Sequence, residues 1–278
     1  MMTYRERVSV SGSSLSSLCL LIFSLQSALA IYGGQETEID EFPWTALIEY
    51  QRGDVNSTYL CAGSLISERY IVTAATCVAG IPQNLKIKRV RLGEWDLGST
   101  NDCQNNRCSS APIDVAIEKI VTHADYSKRS KLHDIALIRL AHDVQYSETV
   151  RPIELPKNES LGGSAVATGW GRTEMTSTAQ KKLKVEMDIM SLEECAPLYN
   201  RFNVELKQTH LCAGGQEAKD TCQGDTGGPL MQKHADTWYL VGIVSFGPSM
   251  CGAAGVPGVY TNVAEYVNWI QHNIQNRN

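Results

Sequence analysis

The 278-residue sequence predicts an all-β body finished by one C-terminal helix, and three observations support this. Short apolar runs such as Ser64-Leu65-Ile66, Tyr70-Ile71-Val72, Ile135-Ala136-Leu137-Ile138 and Tyr239-Leu240-Val241-Gly242-Ile243-Val244 are separated by Gly, Pro, Asn and Ser clusters. That punctuation belongs to barrels or sandwiches. Only at the end do apolar residues recur at helical spacing, through Val263, Tyr266, Val267, Ile270 and Ile274. With 43% apolar and 20% charged residues, the chain can bury a core and shows no compositional sign of disorder.

In chain order, residues 1–30 read as a secretory leader: basic Arg5 and Arg7, an apolar centre at Leu18-Cys19-Leu20-Leu21-Ile22-Phe23, and small residues at Ala28-Leu29-Ala30. Ser24, Gln26 and Ser27 break the apolar run well short of the roughly 20 residues a membrane span needs, so no membrane partner is expected. Of nine cysteines, Cys19 falls in the leader, leaving Cys61, Cys77, Cys103, Cys108, Cys195, Cys212, Cys222 and Cys251. An even set in an exported chain predicts four disulfides, with connectivity open at this point. Zinc would need paired short Cys or His spacings, which are missing. Asn56-Ser57-Thr58 and Asn158-Glu159-Ser160 make Asn56 and Asn158 glycosylation candidates. There are no repeats or linkers, and Val150-Arg151-Pro152 is the candidate joint between two halves. A net charge of -5 and a pI near 5.7 exclude nucleic acid as the main partner, since that footprint needs a basic face.

Five blocks are more specific: Ile31-Tyr32-Gly33-Gly34, Thr73-Ala74-Ala75-Thr76-Cys77, Asp134-Ile135-Ala136-Leu137, Gly169-Trp170-Gly171 and Gly224-Asp225-Thr226-Gly227-Gly228-Pro229. In this order they resemble the chymotrypsin (trypsin-like, S1) family of serine proteases from Ile31 to the C-terminus. Tyr32 and Leu92-Gly93-Glu94-Trp95-Asp96 make the likeness closest to arthropod clip-domain proteases. The resemblance implies two six-stranded antiparallel β-barrels, 31–152 and 153–262, followed by the helix.

Family chemistry uses a serine nucleophile, a histidine base and a buried aspartate that orients the histidine. Of the matching positions Thr76, Asp134 and Thr226, only Asp134 keeps the family residue. A threonine hydroxyl cannot act as a base near pH 7. Threonine nucleophiles of the N-terminal kind borrow their own α-amine, and Thr226 lies deep inside the chain. Losing nucleophile or base costs about a million-fold in turnover, roughly 8 kcal/mol, and losing both costs little more. His133 adjoins Asp134, but adjacent residues on an extended chain face opposite ways, which predicts a surface residue. His123, His142, His210, His234 and His272 fall in none of the blocks.

The resemblance implies that other machinery survives: oxyanion-binding N–H groups at Gly224 and Thr226, and a pocket for basic side chains with Asp220 at its floor. Ser245, Phe246, Gly247 and Gly258 would line that pocket, with Phe246 in place of the usual tryptophan. It also implies disulfides Cys61 to Cys77, Cys195 to Cys212 and Cys222 to Cys251, leaving Cys103 with Cys108. The α-amine of a chain starting at Ile31 would pair with Asp225 without a zymogen step, and Glu154 stands where clip-type relatives tether a pro-segment through cysteine. Glu94, Asp96 and Asp102 form a calcium candidate, acidic loop residues that are otherwise simply solvated. No cofactor is called for. The reading that results is a secreted, catalytically inactive homologue that binds extracellular proteins, either cascade proteases or their inhibitors, in a proteolytic cascade of the innate immune kind. Its rivals are a weak trypsin-like endopeptidase and a decoy for protease inhibitors.

Overall fold

A computed structural model describes residues 31, 33–53, 56–157, 162–173 and 175–275, so residues 1–30, where a leader is expected, Tyr32 and Asn158 lie outside the described residues. The strands are β1 (Gln35–Glu36), β2 (Thr45–Arg52), β3 (Asn56–Ser67), β4 (Tyr70–Thr73), β5 (Leu85–Leu92), β6 (Cys103–Gln104), β7 (Arg107–Cys108), β8 (Ile113–Thr122), β9 (Ala136–Leu140), β10 (Ser164–Gly169), β11 (Leu183–Met190), β12 (His210–Gly214), β13 (Pro229–His234), β14 (Thr237–Phe246) and β15 (Pro257–Asn262). The helices are α1 (Ala75–Val78), α2 (Leu192–Asn200) and α3 (Val267–Gln275), with a 3₁₀ turn, Val263–Tyr266, leading into α3. Asn56 opens β3.

Six strands close a first antiparallel barrel in the order β2-β3-β4-β9-β8-β5. The second follows β11-β10-β13-β14-β15-β12 and closes where β11 meets β12, at Ile189 with Ala213 and Met190 with Cys212. Strand β2 shows why the apolar runs lack simple alternation. Ala46, Ile48 and Tyr50 point into the first core while Leu47, between them, enters the second. A strand buried on both faces reads as a continuous hydrophobic run.

The ends cross over, which corrects the division expected from the sequence. Gln35 and Glu36 pair with Lys184 and Leu183 of the second barrel, and Ile31 is buried in that barrel's core rather than the first. In return Val263, Tyr266 and Ile270 pack into the cluster built on β2, β4 and β9.

Helix α2 was not expected, although its start is written in Ser191-Leu192-Glu193-Glu194. Ser191 Oγ accepts from the Glu194 N–H at 3.2 Å, and the Glu194 carboxylate accepts from the Ser191 N–H at 3.3 Å. This reciprocal cap satisfies two otherwise orphaned donors. All four disulfides form as the family resemblance implied: Cys61–Cys77, Cys103–Cys108, Cys195–Cys212 and Cys222–Cys251. Among the described residues no helix is long and apolar enough to cross a membrane.

Candidate active site

Helix α1 is a single turn whose N-cap, Ala74, has no side chain able to cap it. First-turn N–H groups without an intrahelical partner need an acceptor from elsewhere. Asp134 supplies it: the Thr76 N–H donates to Asp134 Oδ1 at 2.7 Å. Oδ2 accepts from Thr76 Oγ1 at 3.0 Å and from Ser245 Oγ, and the Asp134 carbonyl accepts from Thr261 Oγ1 at 2.7 Å. The carboxyl is 1% exposed; burial raises its pKa, opposed by the bonds from Ser245 and Thr76.

The Thr76 hydroxyl is full. While it donates to Asp134, its oxygen takes the Tyr126 hydroxyl at 2.9 Å and Lys131 Nζ at 3.0 Å. One proton and two lone pairs are all a hydroxyl has, so none is left to receive a proton from a nucleophile. Neither Tyr126 nor Lys131 stands near Thr76 in the sequence, and no local motif marks them.

His133 departs from expectation. Its backbone is left-handed, at φ 55°, so strand alternation does not apply. The ring is half-buried, stacked on His123 with centroids 4.7 Å apart, and its Nδ1 lies 3.0 Å from the Tyr266 hydroxyl. Burial, then the neighbouring His133, lowers the pKa of His123. His210 is 4% exposed, with Nδ1 accepting the Lys207 N–H at 3.0 Å, and burial lowers its pKa.

Asp220, Thr226, Ser245, Phe246, Gly247 and Gly258 come together around one cavity of about 210 Å³. Asp220 is 2% exposed; its Oδ2 accepts from the Gly252 N–H at 3.1 Å, while Oδ1 is buried without a partner among the described residues. Burial pushes its pKa up to about 6. A Cβ on Gly258 would sit 3.2 Å from Oδ1, so glycine keeps the floor clear. The Phe246 ring is held edge-on by Tyr199 at 5.8 Å and His210 at 6.0 Å.

Gly224 and Thr226 flank Asp225, and their N–H groups donate to none of the described residues. The Asp225 carboxyl is fully buried, accepts from Gly171 N–H at 2.8 Å and Cys222 N–H at 3.0 Å, and has its pKa pushed up to about 6 by burial. A Cβ on Gly169 or Gly171 would come within 2.2 or 2.3 Å of its oxygens, which explains the small residues on both sides of Trp170.

The calcium candidates do not form one set. Glu94 and Asp102 share the Trp95 N–H, at 3.1 and 2.8 Å, while Asp96 turns instead to the Gly98 N–H at 2.9 Å. Glu94 also pairs with Arg91 at 3.2 Å, and buried Lys182 feels both Glu94 and Asp102. Among the described residues no group of three His, Cys, Asp or Glu is placed to hold a metal ion.

The family model described as Trypsin matches residues 31–270. The chain belongs to the trypsin family. Among its trypsin-family relatives, the mosquito (Anopheles gambiae) CLIP domain-containing serine protease B4 is 54% identical over 252 residues, covering 88% of this chain and 70% of that protein. Phenoloxidase-activating factor 3 of Holotrichia diomphalia is 40% identical, covering 90% and 74%. The crystal structure of the Drosophila Grass clip serine protease of the Toll pathway superposes with a TM-score of 0.78 at 32% identity, covering 92% of this chain and 77% of that one. This trypsin-family chain therefore has the two-barrel fold of clip-type insect proteases.

Proposed function

We propose that this protein is a catalytically inactive serine protease homologue that acts outside the cell by binding proteins of a proteolytic cascade of the immune kind. The observation that carries the reading is the saturated Thr76 hydroxyl: the position that should hold the base has no acceptor to spare. Four disulfides support an oxidising, extracellular setting. Relatives named Melanization protease 1 and phenoloxidase-activating factor 3 support the immune assignment.

Binding survives the loss of turnover because the Asp220 carboxylate at the pocket floor does not use the triad. The purified protein is expected to hydrolyse arginyl peptides no faster than its Thr226→Ala variant, and turnover abolished by that change would overturn the reading. Benzamidine, a flat cation, should bind, and Asp220→Ala should weaken it on the order of 30-fold, the size of one charge-assisted contact. A neutral carboxyl cannot pair with a cation. With Asp220 titrating near 6, affinity should therefore rise as pH increases through that value, and be about tenfold lower at pH 5 than at pH 8.

The Ile31 amine belongs to the same proposal. Ile31 is fully buried beside the second core, yet its φ of 56° is costly for a β-branched residue. A chain that starts at Ile31 has no such torsion to strain, and its α-amine gives the buried Asp225 a counter-charge that lowers the pKa burial has raised. Mass spectrometry of the secreted protein should find Ile31 as the first residue; another start removes the pairing.

A further inference from the structure

The turn before Asp134 carries a cation into the cleft. The Lys131 N–H donates to the Ser127 carbonyl at 2.8 Å and the Ser127 N–H to the Leu132 carbonyl at 3.1 Å, so the chain doubles back. Lys131 takes a left-handed φ of 56°, and its side chain reaches α1, with Nζ on Thr76 Oγ1 at 3.0 Å. That oxygen is two hydrogen bonds from the pocket wall, through Asp134 Oδ2 to Ser245 Oγ.

Lys131 takes part in none of the ion pairs among the described residues. Asp134 feels its charge without pairing with it directly, its carboxylate accepting instead from Thr76 and Ser245. An ammonium has three N–H donors and Thr76 uses one. The half-buried Lys131 thus keeps donors to offer, and exposed Lys128 and Arg129 on the same turn strengthen the positive field, against which the loop sets the buried Asp134 and the exposed Asp125.

Resting on the reading of this cleft as a protein-binding site, we propose that Lys131 makes it selective for an acidic residue beside a basic one. An extended segment whose Arg or Lys enters the Asp220 pocket places the Asp or Glu immediately before it against Lys131 Nζ. Lys131, anchored on the residue at the position where the base would stand, reads charge, and the partner is recognised by the pattern acid then base.

The test is titration of the secreted protein with three capped peptides, acetyl-Ala-Asp-Arg-amide, acetyl-Ala-Ala-Arg-amide and acetyl-Ala-Lys-Arg-amide. The Asp peptide should bind about fivefold more tightly than the Ala peptide and the Lys peptide more weakly still, with the spread narrowing in high salt. Lys131→Met should bring the three together, and Lys131→Arg should keep their order. Equal affinities in the unmodified protein, or a preference for Asp that survives Lys131→Met, overturn the proposal. So does failure of all three peptides to bind where benzamidine still does. Loss of benzamidine binding as well would remove the pocket reading with it. Cleaved peptide found by mass spectrometry, alongside an intact preference for Asp, would instead end the binding-only function and leave the role of Lys131 standing.

Discussion

Restoring both substituted triad positions, Thr76→His together with Thr226→Ser, is expected to raise hydrolysis of an arginyl substrate by about 10⁴–10⁶-fold, while either change alone stays at background. The two residues act as a unit, so a nucleophile without a base, or a base without a nucleophile, gains little. The surroundings support the gain. Asp134 is buried and already oriented by the Thr76 N–H and Ser245, the cavity above Asp220 is formed, and the Gly224 and Thr226 N–H groups donate to none of the described residues. Among the described residues Lys131 and Tyr126 must withdraw from the space at position 76, each by turning its whole side chain. A fluorogenic assay checks this, and the restored rate should climb across the ordinary histidine range near pH 6.5. An inert double variant would mean that the cleft is closed to substrates by more than the two substitutions.

Gly227→Ala should lower stability by about 3–5 kcal/mol, whereas Gly53→Ala should cost only about 1–2 kcal/mol. Both glycines have positive φ, 84° and 61°, so both substitutions incur left-handed strain. Space separates them: a Cβ at Gly53 meets nothing within 4 Å, but at Gly227 it would lie 2.2 Å from Thr73 Oγ1 and 2.4 Å from the Ala62 carbonyl. Gly227 sits at the seam, its N–H donating to Val244 of the second barrel while the Thr226 carbonyl accepts from Ala62 of the first. Backbone there cannot yield without parting the barrels. Chemical denaturation midpoints of the two variants check the difference; equal shifts would show that the seam relaxes.

What the sequence made legible, and what it hid, divides by physical range. The pocket residues Asp220, Ser245, Phe246, Gly247 and Gly258 lie outside the five blocks and were legible only as what the family resemblance implies; the structure gathers them around one cavity. Helix α2 was missed although its capping box was present, because a nine-residue helix with only Cys195 and Tyr199 buried has little apolar periodicity to detect. His133 was misjudged for a backbone reason: alternation of faces assumes an extended chain, and φ there is 55°. Lys131 could not have been found at all. Its contact with Thr76 spans 55 residues and exists only because a turn and a one-turn helix meet across the fold.

The exchanged ends described above also decide how such a chain can be divided and rejoined. The strand that opens the molecule is stitched to β11, and the helix that closes it fills the core beneath β2, β4 and β9. A hybrid that swaps one barrel with a relative by a single joint near residue 152 therefore inherits two foreign seams, one at each terminus. A crossover design would have to exchange Ile31–Glu36 with the second barrel and the stretch from Val263 onward with the first, making three joints where the linear order suggests one.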